Sequence, residues 1–125
     1  MEVLVPISLG ELYDKISILE IKLSMIHDDE KLKNIKKELI LLTNIAYKYA
    51  VDEILYNELR SKNQDLWIVE DKLRIKEKNK EFDDEFIQLA RSVYFMNDKR
   101  SEIKREINLK SGSNIIEEKS YEKYT

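Results

Sequence analysis

The chain has 125 residues, a length that fits one domain with its own hydrophobic core. Charged residues make up 38% of it and hydrophobic residues 42%, with two glycines and one proline, a composition typical of helical proteins with solvated outer faces. The formal net charge is −3, and interspersed basic and acidic residues argue against nucleic acid or an acidic membrane as a partner. We therefore expect a single helical domain over residues 1–125.

Metal and export signals are absent from the sequence. There is no cysteine and His27 is the only histidine, so disulfides and thiolate sites are excluded and zinc lacks its usual ligands. Residues 1–12 contain neither a basic segment nor a long apolar run, which argues against a signal peptide or a membrane span. We expect a cytoplasmic protein that binds no metal and no other cofactor.

The first helix is predicted from its cap and its apolar pattern. Residues 3–7 are rich in β-branched side chains and contain the proline, so they predict a short extended segment. Ser8 then begins a helix, with Glu11 at the spacing of a capping box. Apolar residues follow at spacings of three and four, and a second apolar face is formed by Ile18, Ile21 and Met25. This helix should therefore be covered twice, by a partner helix or by a second subunit.

Two further helices follow from changes in the pattern. Asp28 and Asp29 end the first helix and offer an N-cap to the second. The apolar stripe that resumes after the second helix is out of phase by about one residue, which predicts a break near residues 50–53. The two flanking segments become the second and third helices, and short turns make the first two antiparallel neighbours.

The end of the chain predicts a fourth helix and an extended tail. Residues 76–84 are nearly all charged, and Asp83 or Asp84 can cap a helix that runs to about Lys110. Residues 111–113, Ser-Gly-Ser, end that helix. We predict that residues 114–121 are extended beside residues 3–7, with a short helix as the alternative.

Arg100 lies near the centre of the apolar stripe of the fourth helix. An arginine inside a bundle needs an acceptor, because an unpaired buried charge costs on the order of several kcal/mol. We predict that it pairs with Glu20 of the first helix or Glu70 of the third, since both lie on apolar faces. The alternative is that its aliphatic stem packs while its guanidinium reaches water.

A polar stripe lies beside the apolar one on the fourth helix, and a similar stripe follows the third helix. If the two stripes face each other, they enclose a groove with cations, amides, carboxylates and aromatic walls. Six basic and three acidic residues between positions 91 and 112 give a local excess of +3, which suits a phosphate or a carboxylate. Basic residues near a helix end are also what the helix dipole favours. The predicted ligand-binding residues are Asn63, Trp67, Glu70, Arg74, Arg91, Tyr94, Asn97, Asp98, Arg100 and Lys104.

Catalytic motifs are missing. There is no Gly-rich phosphate loop, no G-x-S-x-G, no H-E-x-x-H and no nucleophile beside a base. The acidic clusters at residues 70–71, 83–85 and 117–118 lack the spacing that helical nucleotide pyrophosphohydrolases use, so we expect caps and solvated turns there. The sequence leaves open whether the chain is an enzyme.

Four segments carry a resemblance to a family, at residues 3–22, 66–77, 82–100 and 112–121. Their motifs are V-L-V-P-I-S-L-G-E-L, L-W-I-V-E-D, F-I-Q-L-A-R-S-V-Y and E-E-K-S-Y. They resemble a family of small bacterial proteins, also met in phages, that has no established activity. The resemblance marks Glu20, residues 117–121 and most of the predicted ligand-binding residues as motif positions. Members of that family tend to occur beside genes for surface-polysaccharide synthesis, which implies a link to that process.

The expected fold is all-α, an antiparallel bundle of about four helices with short extended N- and C-terminal segments. We expect a non-enzymatic binding or assembly module, a homodimer or a complex with a protein partner. The apolar residues expected to meet the second copy are Ile18, Ile21, Met25, Ile68 and Ile75. The alternative is an enzyme or binding protein for an anionic small molecule, such as a sugar nucleotide or a phosphate, in the groove between the third and fourth helices.

Overall fold

Over residues 1–124, which the computed structural model describes, the chain forms four helices and no strand. Helix α1 spans Leu9–Met25, α2 spans Asp29–Ala46, α3 spans Glu53–Lys78 and α4 spans Asp84–Ser111. The predicted all-α fold with non-helical terminal segments is confirmed.

Each helix begins at a side chain that caps its first turn. Ser8 Oγ accepts a hydrogen bond from the N–H of Glu11 at 3.1 Å, and aspartates do the same for the other three helices. The predicted caps Ser8, Asp28 and Asp83 are confirmed. Asp52 caps α3, so the predicted break is also confirmed although no glycine or proline signals it.

Helix α1 is the central element of the bundle. It packs against α2 on one side and against α3 and α4 on the other, whereas α2 packs along α1 alone among the helices. The prediction that α1 is covered twice is confirmed, and the cover comes from within the chain. Ile21, on the second apolar face, is 1% exposed.

Two apolar clusters form the core. One lies between α1 and α2 and contains Leu12, Tyr13, Ile16 and Ala46. The other is built mainly by α3 and α4 and contains Leu55, Leu59, Ile103 and Ile107. No residue from 70 to 102 is buried, so the far half of the α3–α4 pair has no closed core.

Helices α3 and α4 form an antiparallel pair, which we call the hairpin. Leu59 packs with Ile103 at its base, while Lys76 contacts Asp83 at 2.8 Å at its tip. Helix α1 lies across one side of the hairpin, and the opposite side carries no other helix.

Gly112 ends α4 in the left-handed conformation, with a φ angle of 70°. Glycine adopts this conformation without steric cost. The chain then turns back, and residues 114–124, the C-terminal strap, run along α4. Glu117 contacts Lys104, and Tyr124 donates a hydrogen bond to Asp98, nearer the start of α4.

The strap is not helical, which excludes the alternative of a short helix, but its predicted position beside residues 3–7 is wrong for most of its length. Residues 114–115 share a cavity wall with residues 3–7. From Glu117 onward the strap follows α4 instead, because charged and aromatic side chains of α4 hold it there.

Candidate functional site

A buried carboxylate on α1 is the centre of the candidate site. The side chain of Asp14 is 2% exposed and accepts hydrogen bonds from two other helices. Asn63 of α3 donates to Asp14 Oδ1 at 2.8 Å, and Arg100 of α4 donates its Nε–H to the same oxygen at 3.0 Å. A second guanidinium nitrogen of Arg100 pairs with Asp14 Oδ2. Asp14 therefore joins three helices at one point.

Lys104 extends these contacts to the strap. Its Nζ lies 2.7 Å from Glu11 Oε2, 3.2 Å from Glu117 Oε1 and 3.7 Å from Asp14 Oδ2. Burial acts to lower the pKa of Lys104, but the hydrogen bond to Glu11 and the nearby carboxylates outweigh it and raise that pKa. The hydrogen bond from Lys104 in turn lowers the pKa of Glu117. We call the set formed by Asp14, Asn63, Arg100, Lys104, Glu11 and Glu117 the Asp14 network.

The Asp14 network is satisfied within the chain. Across residues 1–124, every buried side-chain nitrogen and oxygen has a hydrogen-bond partner. Burial acts to lower the pKa of Arg100, and the hydrogen bond to Asp14 more than compensates. Because both cations already face carboxylates, the network holds helices and strap together and offers no free positive charge to an anion.

The predicted partners of Arg100 are wrong. Glu20 instead accepts a hydrogen bond from the Tyr56 hydroxyl at 2.6 Å and lies 3.4 Å from Arg60 Nε. Burial and that hydrogen bond raise the pKa of Tyr56, so its hydroxyl remains a donor. Glu70 pairs with Arg74, four residues along the same helix, at 3.4 Å. The prediction that Arg100 needs an internal acceptor is nonetheless confirmed, because Asp14 is that acceptor.

The sequence contains a signal for Asp14, which was not among the predicted site residues. At about 100° per residue, Asp14 falls between Ile18 and Ile21, in the middle of the second apolar face of α1. Gly10 lies on the same side and lets α4 approach closely, since its N–H donates to Asn108 Oδ1 at 2.6 Å. A carboxylate on an enclosed face beside a glycine predicts a buried partner for a cation on another helix.

A cleft of about 640 Å³ lies between α4 and the strap, and we call it the strap cleft. Ala90 and Val93 form part of its wall, together with aromatic and polar side chains from both elements. Four of the predicted ligand-binding residues line it: Tyr94, Asn97, Asp98 and Arg100. The hydrogen bond to Asp98 raises the pKa of Tyr124 to about 12, so the Tyr124 hydroxyl stays protonated at neutral pH.

A family described as "Family of unknown function (DUF6165)" matches residues 3–125. The chain belongs to the DUF6165 family. Neither the curated proteins nor the solved structures contain a match to it. A family of unknown function is what the resemblance led us to expect; the bacterial and phage distribution stays a prediction.

In this DUF6165 member, the other predicted ligand-binding residues lie in different places. Asn63 and Lys104 belong to the Asp14 network, and Glu70 pairs with Arg74 on the exposed side of α3. The guanidinium of Arg91 lies 6.0 Å from the ring centroid of Phe95, and Trp67 is half-buried. The ten residues are therefore divided among the network, the strap cleft and the hairpin surface instead of one groove between α3 and α4. Their role in ligand binding stays a prediction.

Two further properties bear on function. Among residues 1–124, none of the helices combines the length and the apolar character that crossing a bilayer requires. In the same part of the chain, no three histidine or acidic side chains gather closely enough to hold a metal ion.

Proposed function

We propose that this chain is a non-enzymatic assembly module that forms a homodimer through the outer face of the hairpin. The outer face is the side of α3 and α4 that points away from α1, and its apolar residues are Ile54, Ile68, Ile75 and Leu109. The observation that supports the proposal is that these side chains are exposed although they follow a regular stripe.

The direction of the stripe follows from the helix geometry. On α3, Asn63 reaches α1 and Leu66 is buried. At about 100° per residue, the three isoleucines lie on the opposite side of α3 from both of these residues. All three are exposed, Ile75 to 59%, so the chain itself does not cover this side.

The spacing of the stripe suits contact with another helix. Ile54, Ser61, Ile68 and Ile75 recur every seven residues, which is the spacing of one position of a coiled-coil seam. Leu109 of α4 lines the same shallow cavity as Ile54 and widens the stripe at the hairpin base. A face of this length with no cover is typical of a protein–protein contact.

The charges of the outer face favour a second copy as the partner. Two shallow cavities along this face are lined by both signs of charge, from Glu58, Lys62, Lys99, Glu106 and Lys110. A partner with one strong sign of charge would meet like charges at several of these positions. A second copy related by a two-fold axis carries the same alternation and can match each sign with its opposite.

The outer face changes the set of residues expected at the dimer contact. Ile68 and Ile75 are available for it. Among the expected residues of α1, Ile21 is buried and Ile18 is half-buried inside the chain, and Met25 is exposed but does not belong to the outer face. The proposed contact therefore adds Ile54 and Leu109 at the base of the hairpin in place of the α1 residues.

The alternative function, binding an anion between α3 and α4, gains no support from the geometry, because Arg74 pairs with Glu70 and Arg100 with Asp14. A link to surface-polysaccharide synthesis remains part of the proposal and rests on the family resemblance alone.

Light scattering coupled to size-exclusion chromatography tests the dimer. We expect the wild-type chain to elute as a dimer at micromolar concentration and Ile75→Glu to elute as a monomer with unchanged helix content. Ile40→Glu is the matched control, because Ile40 lies on α2 and is 60% exposed against 59% for Ile75. A monomeric wild type contradicts the proposal. So does a dimer that Ile40→Glu disrupts and Ile75→Glu leaves intact, since that result moves the contact to α2.

A further inference from the structure

We propose that the strap cleft binds a small organic ammonium ion. The site would be a function beyond assembly, because it is formed by α4 and the strap and uses none of the outer-face residues.

Aromatic rings form much of the cleft wall. Tyr94 of α4 and Tyr121 and Tyr124 of the strap line the cleft, and all three are exposed to solvent. The rings of Tyr94 and Tyr124 meet edge to face, with centroids 5.2 Å apart and an interplanar angle of 64°. The face of an aromatic ring attracts cations, and several such rings around one cavity recognise alkylated ammonium groups. A volume of about 640 Å³ is ample for such a ligand.

The basic and acidic residues of the cleft differ in their partners. Its basic residues, Arg100 and Lys119, each lie near a carboxylate that is not part of the cleft wall. Arg100 pairs with Asp14, and Lys119 Nζ lies 3.6 Å from Glu117 Oε2.

The acidic residues of the cleft have no such ion-pair partner within residues 1–124. Asp98 accepts a hydrogen bond from the uncharged Tyr124 hydroxyl, and Glu122 lines the opposite wall. Within residues 1–124 neither carboxylate has a lysine or arginine nitrogen within ion-pair distance. Two carboxylates beside three aromatic rings favour a cation over an anion or a neutral molecule.

The strap supplies one wall of the site, so binding should depend on its attachment. Tyr121, Glu122 and Tyr124 belong to the strap, and Lys104 holds the strap on α4 through Glu117. A ligand in the cleft would contact both elements and favour the attached strap.

Choline and its uncharged isostere 3,3-dimethyl-1-butanol are the probes for this site. Each is titrated into the full-length protein while two-dimensional amide NMR spectra are recorded. We expect choline to produce saturable shifts in residues 94–101 and in the strap at millimolar concentration, and the isostere to bind about tenfold more weakly. Equal binding of the two probes, or no saturable shift with choline, would overturn the proposal.

Two variants and one control locate the binding. Tyr121→Leu removes an aromatic ring at a position that is 69% exposed. Asp98→Asn removes the negative charge while it keeps the size and shape of the side chain. We expect each to weaken choline binding by about tenfold. Tyr47→Leu is the control, because Tyr47 follows α2, is 79% exposed and does not line the cleft. The spectra also show whether every variant is folded. If all are folded, choline affinity that is unchanged in both cleft variants, or that falls equally in the control, contradicts the site.

Discussion

Asp14 on α1 and Arg100 on α4 are 86 positions apart in the sequence and form the ion pair that fixes the central helix against the hairpin. Asp14 is almost completely shielded from water, while Arg100 is partly exposed and lines the strap cleft. Asn63 completes the coordination of the carboxylate from α3. A buried charge held in this way is tolerated only while its partners stay in place.

The first prediction concerns the loss of that partner. Arg100→Met should lower the free energy of unfolding by about 3 kcal/mol, because it leaves the Asp14 carboxylate buried without a bidentate partner. Urea denaturation followed by circular dichroism measures this. Arg60→Met is the control, since the Arg60–Glu20 pair is partly exposed and should contribute about 0.5 kcal/mol. Equal and small losses in the two variants would show that Asp14 does not depend on Arg100.

Local features of the fold could be predicted from the sequence because their causes are local. The side chains of Ser8, Asp28 and Asp83 cap the backbone three residues ahead of them, so each cap can be found from neighbouring residues alone. The two apolar faces of α1 likewise follow from spacing within one helix. Both predictions are confirmed.

Contacts between distant segments were harder to predict. A helical-wheel projection shows which side of α4 carries Arg100. It does not show which helix packs against that side, or at which residues the two helices cross. For that reason the sequence led to Glu20 and Glu70 as the predicted partners and not to Asp14. The path of the strap depends on Glu117 and Tyr124 meeting residues of α4 that are at least 13 positions away, and nothing in the local sequence specifies those contacts.

The second prediction concerns the close approach of α1 and α4. A Cβ atom on Gly10 would lie 2.6 Å from the carbonyl oxygen of Lys104 and 2.9 Å from Asn108 Oδ1. Gly10→Ala should therefore lower the free energy of unfolding by about 2 kcal/mol, even though alanine is the better helix former.

Gly112→Ala separates this steric effect from a backbone effect. A Cβ atom there meets nothing within 4 Å, so its cost, about 1 kcal/mol, comes from the left-handed conformation alone. Gly112→Asn should recover most of that loss, whereas at position 10 no larger residue should recover stability. Thermal and urea unfolding measure all three variants. A Gly10→Ala protein as stable as the wild type would mean that the two helices do not approach so closely.

The third prediction is a pH dependence of the strap. The hydrogen bond from Lys104 lowers the pKa of Glu117 below its ordinary value of 4.5. Because the pKa of Glu117 is lowered in the folded state, its contact with Lys104 stabilises the attached strap above about pH 4.5. That stabilisation is lost as the pH falls through the lowered pKa of Glu117. Amide NMR signals of residues 117–124 should therefore shift toward those of a detached segment in acid.

Neighbouring glutamates provide the control for this pH effect. Glu117→Gln should detach the strap at neutral pH and remove the acid transition. Glu118→Gln should have a much smaller effect on both, because the Glu118–Arg105 pair is more exposed to solvent than the Glu117–Lys104 pair. An acid transition that survives in Glu117→Gln would assign it to another carboxylate.

The fourth prediction uses Asn63 to place a second carboxylate beside Asp14. The Nδ2 of Asn63 lies 2.8 Å from Asp14 Oδ1, so Asn63→Asp keeps the shape and replaces a donor with a like charge. At pH 7 it should lower the free energy of unfolding by about 3 kcal/mol. Burial and Asp14 raise the folded-state pKa of the new carboxyl above its unfolded value of about 3.9. Its protonated form can donate to Asp14 as the amide does, so the deficit relative to the wild type should shrink as the pH falls toward 4. Urea unfolding of both proteins at each pH measures the deficit.

Asn57→Asp is the control for this effect. Because Asn57 lies on the exposed side of the same helix, the substitution should change the free energy of unfolding by less than about 0.5 kcal/mol at either pH. A deficit for Asn63→Asp that stays constant with pH would mean that the two carboxylates do not interact.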